Sequence, residues 1–334
     1  MSNTQQKVTL FTENDSTLLK DKCLRKENRR LAAFIYAFCN QNVDCLAIRN
    51  SYDVIANHPD VRFLDSRALV ATLLSLKENS AELLGRINLV HDLMTDENFW
   101  WDSDYIGVAC YLIATRTKPE SIQAVVARMT AFYNGMKTNR RLYVDESYYG
   151  FMALLGLNLT DVASGLGRIE QLFESHKTQL TPREQSGELL ALALVLNNKI
   201  DVNRVIALRR AFKKHKIRFL DRAVIPAIGI FAQLSADANT LVLEVLETQK
   251  RIRKQIKFNI FAHGYAAELF FTSAMIVASG YLDKMQSDGA DVTLLSDMII
   301  WMQVRNLIKW SEPITMSDAR PTMISFSTPK GRRQ

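Results

Sequence analysis

Residues 62–65 read Arg-Phe-Leu-Asp, and the same four residues recur at 218–221. Four other segments also place at least one large apolar residue before a small polar one, and together the copies end at Asp65, Asp102, Asp145, Thr181, Asp221 and Asn259. These end residues lie 37, 43, 36, 40 and 38 positions apart. Asp, Thr and Asn side chains accept hydrogen bonds from the unpaired N–H groups at a helix start. The chain is therefore predicted to repeat a helical unit at an interval of about 40 residues.

Each unit contains two helical patterns, one before and one after the recurring segment. Before the first five copies, apolar residues recur at helical spacing from leading positions that keep the same interval: Ile48, Ile87, Met129, Ile169 and Leu208. After each copy, a second stretch is apolar on most of its surface, so neighbouring helices must cover it. The sequence thus predicts an all-α fold of about six tandem helical hairpins that form an α-solenoid. A closed α/α ring with a central cavity is the alternative, and the sequence leaves both open.

The composition of the remaining segments sets the predicted domain boundaries. Residues 1–14 are polar, and residues 311–334 are rich in Ser, Thr, Pro and basic residues, so we expect a disordered N-terminus and a disordered basic tail. Between them we expect a single helical-repeat domain at 15–310. It consists of a capping helix at 15–42, hairpin repeats at 43–280 and a C-terminal capping helix at 281–310.

Several features favour a cytoplasmic protein. The N-terminus lacks the apolar core of a signal peptide. The longest uncharged stretch of the apolar C-terminal part, 269–282, has 14 residues, whereas a bilayer-spanning helix needs about 20. The four cysteines show no metal-ligand spacing and are expected to be reduced thiols: Cys23, Cys39, Cys45 and Cys110. We therefore expect no membrane contact, no metal and no cofactor.

Basic residues are concentrated in one part of the chain. Residues 204–222 carry eight basic side chains and one acid, a net excess of seven that equals the net charge of the whole chain, +7. A second cluster at 250–257 follows about one repeat later, so stacked repeats would place the clusters side by side. The expected basic surface at 204–257 includes Arg209, Arg210, Lys213, Lys214, Arg251, Arg253 and Lys254. Such a surface could bind nucleic acid or an acidic partner. The alternative is that the cations complement the dipoles of helix C-termini and stay solvated.

Three arginines precede the leading apolar residue in consecutive repeats. Arg86, Arg128 and Arg168 come directly before Ile87, Met129 and Ile169. Equivalent residues of stacked helices lie about 8–10 Å apart, so these side chains would form a ladder that could bind carboxylates of a partner. The alternative is that each arginine pairs with a neighbouring acid within the fold.

Three stretches carry a resemblance to a known family: 86–94, 127–137 and 224–229, the last reading Val-Ile-Pro-Ala-Ile-Gly. They resemble an uncharacterised bacterial family, domain of unknown function 4003, found mainly in Firmicutes. The similarity covers most of residues 15–310. The resemblance implies an all-helical, bacterial, cytosolic protein, and it supplies no catalytic residues.

The expected function is that of a non-enzymatic scaffold that binds a protein or peptide. Repeat arrays form extended surfaces, and the sequence contains no Gly-rich phosphate loop and no recognisable catalytic set. The alternatives are nucleic acid binding through the basic surface and an α/α-ring enzyme. A ring enzyme needs acids or histidines on the second helices, where Glu188 and Glu268 are the exceptions. Partner identity and oligomeric state stay open.

Overall fold

The computed structural model describes residues 2–57, 66–99, 103–138, 144–180, 184–197, 202–217, 224–256 and 265–311. Within these ranges the regular structure consists of fifteen α-helices and two short 3-10 helices, Pro119–Ser121 and Glu146–Tyr148, and there is no strand. The prediction of an all-α fold is therefore confirmed. In the same part of the chain, no helix combines the length and apolar character that crossing a bilayer requires.

The α-helices are numbered in chain order, with the following bounds: α1 Asn3–Asp21, α2 Lys26–Phe38, α3 Cys45–Asn57, α4 Arg67–Leu74, α5 Ser80–Asp96, α6 Ile106–Arg116, α7 Ile122–Thr138, α8 Tyr149–Asn158, α9 Val162–Leu180, α10 Glu184–Val195, α11 Val202–Lys214, α12 Ile225–Phe231, α13 Ala238–Gln255, α14 Tyr265–Ser287 and α15 Thr293–Ser311.

Consecutive helices pack against each other in seven pairs, from α1 with α2 to α13 with α14. The even-numbered helices of neighbouring pairs also touch, since α2, α4, α6 and α8 contact one another in order, and so do α10, α12 and α14. These even-numbered helices are buried almost throughout, for example from Phe151 to Leu155 in α8. Neighbouring pairs therefore cover the apolar surface that a single pair would leave exposed.

The last pair of helices packs against the first. Helix α14 contacts α1 and α2, and α13 contacts α1. Between α2 and α14, Arg30 Nη1 lies 2.5 Å from Glu268 Oε1, and between α1 and α14, Lys7 Nζ lies 3.2 Å from Asp283 Oδ2. Gly280 allows a close approach here, because a Cβ atom at this position would lie 2.8 Å from the backbone nitrogen of Thr4. The series of contacts therefore returns to its start.

The prediction of a disordered segment at 1–14 and a lone capping helix at 15–42 is wrong. Helix α1 already begins at Asn3, and α2 follows as its partner. Polar residues in the first of these segments are buried through specific partners: Lys7 donates to Phe38 O at 2.5 Å, and Asn14 donates to Gln41 O at 3.0 Å. The polar composition of this segment suggested disorder. Its hydrogen-bond partners lie 31 and 27 residues away, and a local sequence pattern cannot predict contacts at that separation.

Helix α15 is not the capping helix predicted at 281–310. Residues up to Ser287 continue α14, and α15 contacts α14, α2, α8 and α12. Its Trp301, Met302 and Val304 are fully buried, and so are polar neighbours such as Gln303 and Arg305. A capping helix would keep one face in solvent, whereas α15 is covered on several sides from Asp297 to Leu307.

One of the six predicted helix caps lies in the described part of the chain. Asp145 Oδ1 accepts a hydrogen bond from the Ser147 N–H at 2.9 Å and so caps the 3-10 helix Glu146–Tyr148, which leads into α8. The other five predicted caps fall outside the described residues: Asp65, Asp102, Thr181, Asp221 and Asn259. The predicted tail, 311–334, also lies outside them apart from Ser311, the last residue of α15.

The contact between α8 and α15 yields a stability prediction. A Cβ atom on Gly150 of α8 would overlap the ring of Trp301, which is fully buried. We expect Gly150→Ala to lower the free energy of unfolding by about 1–3 kcal/mol through overpacking.

Gly85 and Gly167 provide matched controls, since both are exposed helical glycines at which an added Cβ atom would have no neighbour within 4 Å. Alanine at either should raise the free energy of unfolding by about 0.4–1 kcal/mol. Urea unfolding of the three variants measures the difference. If all three changed stability in the same direction, the proximity of α15 to α8 would be contradicted.

Candidate functional site

The two basic clusters lie on neighbouring helices. Eight cations form a surface that we name the basic edge. Four belong to α11, namely Arg209, Arg210, Lys213 and Lys214, and four belong to α13, namely Lys250, Arg251, Arg253 and Lys254. Helices α11 and α13 contact each other. Arg204 at the start of α11 donates to the carbonyl oxygen of Leu234 at 3.0 Å, shortly before α13 begins, so the first turns of the two helices lie close together. Each basic cluster lies in the C-terminal half of its helix.

Most side chains of the basic edge are exposed to solvent. Six of the eight cations are exposed, while Arg209 and Arg251 are partly buried. Glu247 accepts hydrogen bonds from Arg251 at 2.5 and 3.1 Å, and Glu244 accepts one from the Tyr281 hydroxyl at 2.9 Å. Residues 209–216 and 248–256 contain no acid. The basic edge thus concentrates positive charge on two neighbouring helices.

Aromatic rings near the basic edge belong to the core. Phe212 is fully buried, stacks on Phe231 with ring centroids 6.0 Å apart, and meets Phe270 edge-on at 5.7 Å. Phe219 and Phe258, which follow the two basic clusters in the sequence, lie outside the described part of the chain. Phe212 is therefore not available to stack on bases.

Two arginines of the predicted ladder, Arg86 and Arg128, bind backbone carbonyls within the fold. Arg128 Nε of α7 donates to the carbonyl oxygen of Gly156, in the last turn of α8, at 2.9 Å. Arg86 of α5 donates to the carbonyl oxygen of Thr117, which directly follows α6. Arg204 makes the same kind of contact beyond the end of α12. Each arginine thus satisfies a carbonyl at the C-terminal end of its partner helix, where positive charge is favourable.

Arg168 of α9 is partly buried, as Arg86 and Arg128 are. For Arg86 and Arg128, the structure supplies a reason for the arginine that needs no external ligand. That the three residues also bind a partner stays a prediction.

This geometry predicts that the ladder arginines contribute to stability. Arg128→Met keeps an unbranched apolar stem but removes a charge-assisted hydrogen bond, so the free energy of unfolding should fall by about 1–2 kcal/mol. Arg210→Met, at an exposed position of α11, should change it by less than about 0.5 kcal/mol. Equal effects of the two substitutions in urea unfolding would contradict the role given to Arg128.

A buried polar network occupies the space around the C-terminal half of α15. The Tyr148 hydroxyl donates to Glu188 Oε2 at 2.8 Å, which links α8 to α10. Arg305 lies over the Tyr148 ring at 5.1 Å and donates through Nε to the Ser147 carbonyl at 3.1 Å. Tyr148 and Glu188 are fully buried, and burial raises the pKa of Tyr148 well above its usual value. A substrate would reach this network only after displacement of a helix.

The N-terminal half of α15 is held by another polar contact. Arg116 at the end of α6 donates two hydrogen bonds to Asp297, both of 2.8 Å. Burial raises the pKa of Asp297, and the guanidinium of Arg116 offsets part of this rise. Pairing is what makes a buried carboxylate tolerable in this position.

A mixed cluster of thiols and a carboxylate joins α1 to α3. Helix α1 ends at Asp21, Lys22 takes the left-handed conformation with φ 57°, and Cys23 follows. Cys45 begins α3. Three atoms lie within 4.8 Å of one another: Sγ of Cys45, Sγ of Cys23 and a carboxylate oxygen of Asp21. Burial is the main cause that raises the pKa of Cys23 to about 12, and burial also raises the pKa of Cys45.

Arg49 and a cleft lie beside this cluster. Arg49 Nη2 pairs with Asp21 Oδ1 and also donates to the Asp21 carbonyl at 3.2 Å. The cleft has a volume of about 510 Å³ and is lined by residues that include Cys23, Arg25, Arg49, Tyr52 and Arg67. The Arg67 guanidinium lies 5.6 Å from the centre of the Tyr52 ring. Side chains of both charge signs thus meet next to the two thiols.

Sequence reasoning missed this cluster. Cys23 and Cys45 are separated by 22 positions that contain the whole of α2, so they match no short ligand motif. The pattern Asp-x-Cys at 21–23 is too common to identify a site. The packing of α3 against the end of α1 would have been needed to bring the three residues together.

Three comparisons relate the chain to known proteins. A family model described as a protein of unknown function (DUF4003) matches residues 16–309. No curated protein and no solved structure matches the chain significantly. The match extends from the middle of α1 into α15, so it includes the basic edge, the buried network and the thiol cluster. This protein therefore belongs to the DUF4003 family of proteins of unknown function.

Proposed function

We propose that this protein is a non-enzymatic binding protein of the bacterial cytoplasm. In this proposal its helical pairs form a closed α/α ring around α15, and its basic edge binds an acidic segment of a partner protein. The observation that carries the binding proposal is the position of two basic clusters on the neighbouring helices α11 and α13.

The contacts at the two ends of the chain support a ring over an open solenoid. An open array leaves its first and last repeats apart, and each then needs a polar outer face. Here α14 contacts both α1 and α2, and two ion pairs, Arg30 with Glu268 and Lys7 with Asp283, join them. The Tyr148 hydrogen bond to Glu188 continues the series from α8 to α10.

The burial of α15 argues against the ring enzyme. A ring that acts as an enzyme needs an open central cavity for its substrate. In the proposed ring, α15 occupies the central space, which is supported by the complete burial of its Trp301 and Met302 side chains. Glu188, an acid that the sequence suggested for such a site, offers no free carboxylate to a cavity, because Tyr148 binds it from within the core.

An acidic protein segment fits the basic edge better than nucleic acid does. Leu243 of α13 is 54% exposed and lies two turns before Lys250, so an apolar contact is available beside the charges. A mixture of apolar and charged contacts is typical of protein interfaces. Single-stranded nucleic acid is bound largely by stacking on aromatic rings, and Phe212 is buried.

The test is a charge reversal with a matched control. The variant carries Arg209→Glu, Arg210→Glu, Lys213→Glu and Lys214→Glu, whereas the control reverses four exposed lysines elsewhere, Lys20, Lys77, Lys118 and Lys284. Both change the net charge equally. The probes are a fluorescent peptide rich in Glu and Leu and a fluorescent DNA duplex, and fluorescence anisotropy measures their dissociation constants at two salt concentrations.

We expect the wild-type protein to bind the peptide more tightly than the duplex. The basic-edge variant should lose about tenfold or more in peptide affinity, about 1.4 kcal/mol, while the control retains it. Equal peptide affinity of wild type and variant would refute the proposal. Tighter binding of the duplex, with a steep salt dependence, would replace it by nucleic acid binding.

A further inference from the structure

We infer that Asp21, Cys23 and Cys45 form a binding site for a thiophilic divalent metal ion of the Zn²⁺ type. Thiolate sulfur and carboxylate oxygen are ligands that Zn²⁺ accepts in proteins. The three ligand atoms already lie within 4.8 Å of one another. Around a tetrahedral ion they would be separated by about 3.5–3.8 Å, given bond lengths of about 2.3 Å to sulfur and 2.0–2.2 Å to oxygen. Shifts of about an ångström close the difference.

The backbone presents the three ligands from well-defined positions. Asp21 is the last residue of α1, and the Lys22 N–H donates to Leu18 O at 3.1 Å, which ends the helix in a left-handed turn. This turn directs Cys23 back toward α3. Cys45 begins α3, where Asp44 caps the helix by accepting from the Ala47 N–H at 2.9 Å. Ligands at the ends of two helices thus need no change in secondary structure to bind an ion.

Arg49 supplies the partner that a ligating carboxylate usually has. Protein carboxylates that bind metals are themselves hydrogen-bonded, and these outer contacts orient the ligand. Arg49 Nη2 pairs with Asp21 Oδ1, and a carboxylate paired in this way can still bind an ion through an oxygen lone pair that the arginine does not use. Two thiolates and one carboxylate around a divalent ion leave one negative charge, which the guanidinium of Arg49 neutralises. The charges therefore balance with the ion bound.

The fourth position of the ion would face the cleft. Cys23 and Arg49 both line this cleft of about 510 Å³, so water or a donor atom of a small ligand has access to the ion. Three protein ligands with an open fourth position distinguish such a site from a closed structural one. On binding, each thiol loses its proton to solvent and forms a metal–sulfur bond, and no electron is transferred.

Cobalt(II) is the probe that tests the site, because thiolate ligands give Co²⁺ a charge-transfer absorption that oxygen and nitrogen ligands lack. The full-length protein is purified with reductant, stripped of metal and titrated with CoCl₂, followed by ZnCl₂. The variants are Cys23→Ser, Cys45→Ser and Arg49→Met. The controls are Cys39→Ser, which is exposed, and Cys110→Ser, which is buried in α6. Circular dichroism and thermal unfolding establish that each variant is folded.

We expect one equivalent of Co²⁺ to give the thiolate absorption and one equivalent of Zn²⁺ to displace it. Cys23→Ser and Cys45→Ser should each abolish tight binding, and Arg49→Met should weaken it about 10-fold or more. Cys39→Ser should bind as the wild type does. The inference is overturned if the wild type shows no thiolate absorption, if a folded Cys23→Ser or Cys45→Ser variant keeps it, or if Cys23 and Cys45 are recovered as a disulfide under reductant.

Discussion

The burial of α15 among the other helices is the constraint on which the rest of the structure depends. A helix that is covered on several sides has to place apolar side chains around most of its circumference and pair its charged ones. Trp301, Met302 and Val304 meet the first condition. Asp297 meets the second through Arg116, and the side-chain nitrogen of Gln303 donates a hydrogen bond of 2.8 Å to Thr272 of α14. The helix thereby connects α6, α8 and α14, which are distant in sequence. Trp301 Nε1, Gln303 Oε1 and Asn306 Nδ2 are buried without a hydrogen-bond partner in the part of the chain that the structure describes.

The same constraint accounts for the contacts between the ends of the chain. In the proposed ring, the helices around α15 have neighbours on both sides, so the first and last pairs meet. The ion pairs of Arg30 with Glu268 and of Lys7 with Asp283 join α14 to the first two helices. In the same proposal the outer surface is left for recognition, and it includes the basic edge and the cleft beside Cys23.

Much of the fold could be predicted because helical periodicity is a local signal. The leading apolar positions are buried as their spacing requires: Ile48 is 1% exposed, and Ile87 and Met129 are fully buried. The function of Asp145 as a cap also follows from local sequence. Helix α1 and the buried position of α15 were not predicted, because both contain buried charged residues such as Lys7 and Arg305. These side chains are stabilised by partners that are distant in sequence, and a local pattern does not reveal such partners. The thiol cluster required the packing of α3 on the end of α1.

Amide hydrogen exchange of α15 tests the central position of this helix most directly. A helix packed on several sides exchanges its amide hydrogens only when the whole molecule unfolds. The free energy of exchange for residues 297–307 should therefore equal the free energy of unfolding measured with denaturant. If these amides exchanged through local opening, with a free energy well below the global value, as a frayed terminal helix does, the account of α15 as the centre of the fold would be contradicted.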